Sequence, residues 1–291
     1  MADTAPHRMR AATPYWLCTP GLILLAVLLA VPMLMTFLLS FNAYSDTAGI
    51  IHSWSPANYA EILTDPYFAS IFLRTLRVAL VTTIACTLIG VPEAYIISRL
   101  KPRWRSLCLV VVLGPLLVSV VVRTLGWQIL LARTGLINQV LVGIGALPHP
   151  VDLLFTETGM DIAMTHVMVP YMVLAVWTSI RQIDPRTEQA AHSLGANGFT
   201  TFRRVVLLQI VPGILSGSII VFSLTASSFA TPELIGGRRE KVAATTIYDQ
   251  FLTTLNWPEG AAIACLLIAS IMIIVFAWNR LLERRYAAAA A

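Results

Sequence analysis

Three stretches of this chain contain no Asp, Glu, Lys or Arg: residues 11–45, 205–232 and 260–279. A helix needs ~20 predominantly apolar residues to cross a bilayer, whereas buried core helices of soluble proteins show apolar runs nearer 10–14. Hydrocarbon offers the backbone no hydrogen bonds, so such runs must close their own bonds as helices. Six spans are expected on this basis, over residues 16–41, 72–98, 106–131, 162–180, 205–230 and 260–282. Only 12% of the residues are charged, about half the fraction usual in soluble domains. The expected fold class is all-α, a polytopic membrane protein with six transmembrane helices.

The first run is too long for the apolar segment of a cleavable signal peptide and has no small-residue cleavage site after it, so it is read as the first transmembrane helix. Orientation follows from Lys and Arg, which favour the cytoplasmic side. The pairs and clusters Arg8/Arg10, Arg99/Lys101/Arg103/Arg105, Arg181/Arg186/Arg203/Arg204 and Arg280/Arg284/Arg285 fall on one side. Both termini are therefore expected inside. The chain divides into a cytoplasmic tail (1–15), a membrane domain (16–282) with an inner loop at 181–204, and a second tail (283–291). The sequence pI of about 9.2 then reflects inner basic clusters facing anionic lipid, not nucleic acid.

Chemistry of its own is not visible. Cys18, Cys86, Cys108 and Cys265 suit neither a zinc site nor a thiol redox pair and read as small apolar residues. No phosphate loop, H-E-x-x-H or G-x-S-x-G motif occurs. A membrane-embedded enzyme would need a nucleophile–base or metal constellation at membrane depth. An ion-gradient-driven transporter would show two similar halves and paired intramembrane carboxylates, and Glu93 alone qualifies. The expected cofactor set is none in this chain; if the protein moves something uphill, the energy source lies in another chain.

The inner loop contains "EQAAHSLGANGFT", residues 188–200. Asp184 suits the N-cap of a short helix with Pro185 at its first position, and Glu188 suits the positive end of its dipole. Thr187, Ala190, Ala191 and Leu194 share one face by i, i+3, i+4 spacing, small enough for another surface to approach the backbone. Gly195 stands where a left-handed terminus is expected. Asn197 then caps a second helix leading through Phe199 and Phe202 into the fifth span. An amphipathic connector resting on lipid is the plain alternative, but interfacial anchoring favours larger apolar residues than Ala.

This loop resembles the E-A-A-x-x-x-G signature of ABC importer permeases, with Gln189, Ala190, Ala191 and Gly195 at its positions and Glu188 one residue before the Glu. The I-x-L-P positions fall on Val205, Leu207 and Leu208, so the signature's Pro is missing and Pro212 is expected to supply the bend. "VRTLGWQILLARTGLINQVL" (122–141), "SLGANGFTTFRRV" (193–205) and "SSFATPELIGGRREKVAATTIYDQFLTTLNWPEGAA" (227–262) are similar to the spermidine/putrescine-type subfamily. The resemblance implies a type I ABC importer permease fold in a bacterial inner membrane. It implies a coupling helix made of Glu188, Gln189, Ala190, Ala191 and Gly195. It also implies as partners a dimer of ATP-binding-cassette subunits that hold ATP and Mg, a homologous second permease and an extracytoplasmic solute-binding protein. The substrate implied is a small, polyamine-like solute.

For a translocation path, Arg123, Trp127, Tyr171, Phe229 and Glu233 are the candidates. Intramembrane charge marks function by default, yet Arg123 suits snorkelling to the outer surface as well as lining a cavity, and the aromatics suit an interfacial belt as well as a wall. Glu93 is expected to pair with the 99–105 cluster, and His166 to pack or bridge. Pro232 and Gly236–Gly237 suggest a turn or broken helix end. Asp46, Glu61, Asp65, Asp152, Glu157, Asp161, Glu233, Glu240, Asp249 and Glu259 fall outside. They form either an acidic vestibule attracting cations or the ordinary acids left where Lys and Arg are scarce.

Overall fold

The computed structural model describes the backbone over residues 13–290 and the side chains over 19–280. Most of the first tail, with Arg8 and Arg10, and the side chains of Cys18, Arg284 and Arg285 lie outside the described residues. Helix α1 (Thr13–Leu39) leads into a small antiparallel hairpin, β1 (Ala43–Ser45) and β2 (Gly49–Ile51), that pairs Tyr44 with Ile50. Then follow α2 (Ala57–Thr64), α3 (Pro66–Arg99), α4 (Pro102–Leu117), α5 (Val120–Leu131), α6 (Leu136–Gly143) and α7 (Glu157–Ile180). After them come α8 (Pro185–Ser193), α9 (Gly198–Thr201), a π-helical turn (Phe202–Val206), α10 (Leu207–Ala226), α11 (Ala230–Gly236), α12 (Ala243–Leu252) and α13 (Trp257–Ala290).

Among the described residues, six helical stretches are long and apolar enough to cross a membrane: Thr19–Leu39, Pro66–Arg99, Val120–Gly143, Glu157–Ile180, Gly198–Ala226 and Trp257–Arg280. Five overlap the expected spans with shifted ends. The third differs in kind. Instead of one helix over 106–131, α4 stops at Leu117, Val118 turns extended (ψ 140°), and the apolar stretch runs from Val120 through α6. The break follows Pro115, which lies in the last turn of α4: Val118 N–H closes that turn onto Pro115 O at 3.3 Å before the backbone turns extended.

The centre of the fold is the packing of α3, α7 and α10. Cys86, Ala94, Met164, Met172, Val173, Val176, Ile210 and Val221 are buried together there. Without water to drive association, helices in a membrane approach through small residues. Gly213 and Gly217 on α10 serve this role against α7. A Cβ at Gly213 would lie 2.4 Å from Ser179 Cβ, and one at Gly217 would lie 2.8 Å from Met172 Sδ. By contrast, α1 leaves Leu22, Leu25 and Leu29 more than 60% exposed. Its C-terminal end is tied down where Ser40 Oγ meets the Tyr59 hydroxyl at 2.6 Å and Asn58 donates to the carbonyls of Ser40 and Asn42.

Two ion-paired ends fix α3 beside the segment from α7 to α8. At one end Arg74 Nε lies 3.0 Å from Glu157 and 2.9 Å from Glu240, and Arg77 also pairs with Glu157. At the other, Arg99 lies 2.5 Å from Glu188. α3 and α7 therefore run parallel.

Candidate functional site

Two regions gather the functional candidates. The first is the loop around α8. Asp184 accepts from Arg186 N–H at 2.9 Å as the N-cap, and Pro185 opens the helix. Gly195 has φ +81°, a conformation that costs any residue with a Cβ. Asn197 then caps α9, accepting from Thr200 N–H at 2.8 Å. Gln189 and Ala190 are exposed, Ala191 is half-buried, and no Cβ built on Gly195 would touch anything within 4 Å. Glu188 behaves differently: its side chain is 14% exposed and turns back to Arg99. The helix after α9 continues into α10 as expected. Its irregularity sits at the π-turn, where Leu207 N–H bonds Phe202 O, and not at Pro212, which lies inside the continuous α10.

The second region is a cleft of about 700 Å³ bounded by α3, α4, α5 and α7. Four-residue spacing sets Val81, Ala85, Ile89 and Glu93 along one stripe of α3, facing Asp161, Thr165, His166 and Val169 of α7. The walls are mainly apolar with a few convergent polar groups, the usual make-up of a small-molecule site. Asp161 Oδ1 is buried without a hydrogen-bond partner among the described residues. Glu93 forms no ion pair there either, contrary to expectation, and two of the four basic residues near it are engaged elsewhere. Arg99 is held by Glu188, and Arg105 donates to the carbonyls of Ser98 and Leu100 at 3.1 and 3.2 Å. At 1.5 Å per residue, with Arg77 level with Glu157, the two carboxylates are about 18 Å apart along the helices.

The path candidates separate. Trp127 lines the cleft and donates from Nε1 to His166 Nδ1 at 3.1 Å, so His166 bridges. Arg123 is not among the residues lining this cleft. Its guanidinium folds back on Pro115 O, supplying a donor to a carbonyl at the helix break. Tyr171 packs half-buried against the central cluster, and Phe229 stacks on Tyr248 with ring centroids 4.5 Å apart. Glu233 lines a separate cleft of about 780 Å³ with Arg74, Tyr248 and Asp249, beside the turn where α11 ends at Gly237 (φ +57°). The acidic vestibule is thinner than its sequence suggests, since Glu157, Glu240 and Asp249 are all in ion pairs.

The model of a protein family described as the binding-protein-dependent transport system inner membrane component matches residues 16–288. The chain belongs to this family. It is 30% identical to the spermidine/putrescine transport system permease protein PotB of Haemophilus influenzae, over 88% of this chain and 90% of that protein. Identity to PotB of Escherichia coli is 29%, over 90% and 96%. The solved bacterial alginate ABC transporter, in complex with a periplasmic protein carrying an alginate pentasaccharide, aligns with TM-score 0.77 at 18% identity, covering 93% of this chain and 94% of that one. That likeness establishes the fold, that of type I ABC importer permeases.

As a member of the binding-protein-dependent family, the chain is a multi-pass membrane permease subunit and not an enzyme, and the reading as an ion-gradient-driven transporter falls. The residues that sequence reasoning passed over as path candidates are Asp161, His166 and Glu93. The signal for the first was available: Asp161, Thr165 and Val169 recur every four residues, a single helical stripe carrying an acid.

Proposed function

We propose that this subunit carries a polyamine-like cation across a bacterial inner membrane, with both termini on the cytoplasmic side. It pairs with a homologous second permease around a shared path, beneath an extracytoplasmic solute-binding protein. Two ATPase subunits, which hold ATP and Mg, dock against the surface formed by the exposed Gln189, Ala190 and Gly195 and the half-buried Ala191. Closure of those subunits displaces α8 and opens the path outward.

The observation that carries the choice of cargo is that Asp161 and Glu93, without partners among the described residues, stand at two levels of a mainly apolar cleft walled by Trp127. A charge at membrane depth without a partner is costly, so its persistence there points to an ion that passes. A flexible polycation satisfies both carboxylates in turn while its methylenes run along Val81, Ala85 and Ile89, and an aromatic wall attracts ammonium groups through its π face. The spermidine/putrescine cargo in the relatives' names agrees with this chemistry. Isothermal calorimetry on the cognate binding protein tests it. Tight binding of a polyamine is expected, and tight binding of an anion or sugar with no polyamine affinity overturns the cargo while leaving the permease in place.

A further inference from the structure

Glu188 stands inside the coupling loop but its carboxylate is turned away from the exposed face. Arg99, the last residue of α3, lies 2.5 Å from it. The same guanidinium stands over the Tyr95 ring, 4.7 Å from its centroid. Tyr95 in turn packs against Phe202, centroid to centroid 4.5 Å, at the first residue of the π-turn below α10. One contact series, Glu188–Arg99–Tyr95–Phe202, thus joins α8, α3 and the base of α10. On α3, Glu93 and Ile89 lie within two turns of Tyr95 and line the cleft.

We propose that this series is a second mechanical link, by which displacement of α8 reaches α3 and hence the cleft wall. It rests on the coupling role assigned to α8 above. The covalent route from α8 to α10 passes through Gly195 at φ +81° and the non-helical Ala196 and Asn197. A push through such a hinge lets α8 pivot. A charge-assisted hydrogen bond fixes direction as well as distance, and the Glu188 carboxylate is mostly shielded from water, which limits its screening. Arg99 and Glu188 act through one another, as positioning residues.

The test uses the complete reconstituted importer and reads solute moved per ATP hydrolysed. Arg99→Ala is expected to keep its ATPase subunit and hydrolysis while moving about tenfold less solute per ATP, within the range usual for coupling between sites. Glu188→Gln should show the same fall. The reversed pair, Arg99→Glu with Glu188→Arg, should recover most of the loss, which a merely structural role would not produce. Unchanged stoichiometry in both single variants overturns the link, and so does a reversed pair no better than either single. Loss of the ATPase subunit from Glu188→Gln alone also overturns it, by making Glu188 a partner contact. If the docking reading itself is wrong, Ala190→Asp will transport normally, a result independent of this charge pair.

Discussion

Trp127 Nε1 on α5 donates to His166 Nδ1 on α7 across 3.1 Å, tying the far side of the helix break to the cleft wall. An imidazole that accepts at Nδ1 is neutral and carries its proton on Nε2, which leaves that edge as a donor. The bond also fixes the Trp127 indole, so the wall of the cleft is set by the same contact that holds α5 in place.

Trp127→Phe removes the donor and keeps an aromatic wall. The lost hydrogen bond is worth about 0.5–1.5 kcal/mol, so a slightly lower Tm and near-normal uptake are expected. Trp127→Ala removes the wall as well, and KM for uptake should rise. Equal KM for the two variants would show that the aromatic face contributes nothing to the path.

Asp161→Asn and Glu93→Gln keep shape and remove charge. Hydrogen bonds to charged groups are worth about 1.5–3 kcal/mol, so uptake of a polycation should fall roughly tenfold or more for either change, with the complex still assembled. Radiolabelled uptake into vesicles measures this. If one variant transports at the wild-type rate, that carboxylate is not on the route.

The α7–α10 crossing gives a prediction about stability alone. Gly213→Ala places a methyl 2.4 Å from Ser179 Cβ and 3.0 Å from the Ala175 carbonyl oxygen. Overpacking of this kind costs about 1–3 kcal/mol, so thermal melting of the purified protein should drop. Gly114→Ala, which lies inside α4 and meets nothing within 4 Å, is the control and should melt no lower than the native protein, since Ala favours the helix over Gly. A similar Tm for the two variants means the helices separate freely there.

The spans and the α8 loop were legible because their signals are local. Charge-free length marks α1, α10 and α13, and Asp184, Pro185, Gly195 and Asn197 are caps and stops that act within a turn of themselves. The break at Val118 was hidden because residues 106–131 read as one apolar run, and nothing in hydropathy marks where the backbone turns extended and Arg123 folds back on the Pro115 carbonyl. Partnership was the harder part throughout. Glu93 sits near four basic residues in sequence, yet Arg99 is claimed by Glu188, 89 residues away. Charge pairing across such distances is decided by which helices lie side by side, and no periodicity in one segment encodes that.

Gly195 sits at φ +81° with open space where a Cβ would project, so its requirement is conformational and not steric. A residue with a Cβ there costs roughly 1–2 kcal/mol, and a β-branched one strains the turn most. Gly195→Val should leave membrane insertion normal and reduce uptake, whereas Gly195→Asn, which tolerates positive φ, should retain more. Equal uptake by the two would place the demand on something other than backbone conformation.

Ala190→Asp is the sharpest probe of α8. Ala190 is exposed and makes no side-chain hydrogen bond, so nothing within this chain should notice the change. The protein should insert and melt as the native one does. Docking of an ATPase subunit would bury the new carboxylate without a cation beside it, and an uncompensated buried charge costs about 3–5 kcal/mol, more than two powers of ten in affinity. The variant should therefore lose its ATPase subunit on gentle purification, or keep it while hydrolysing ATP without uptake. Retention of both the subunit and native uptake would mean that α8 touches no partner at this residue, and the docking surface would have to be sought elsewhere on the chain.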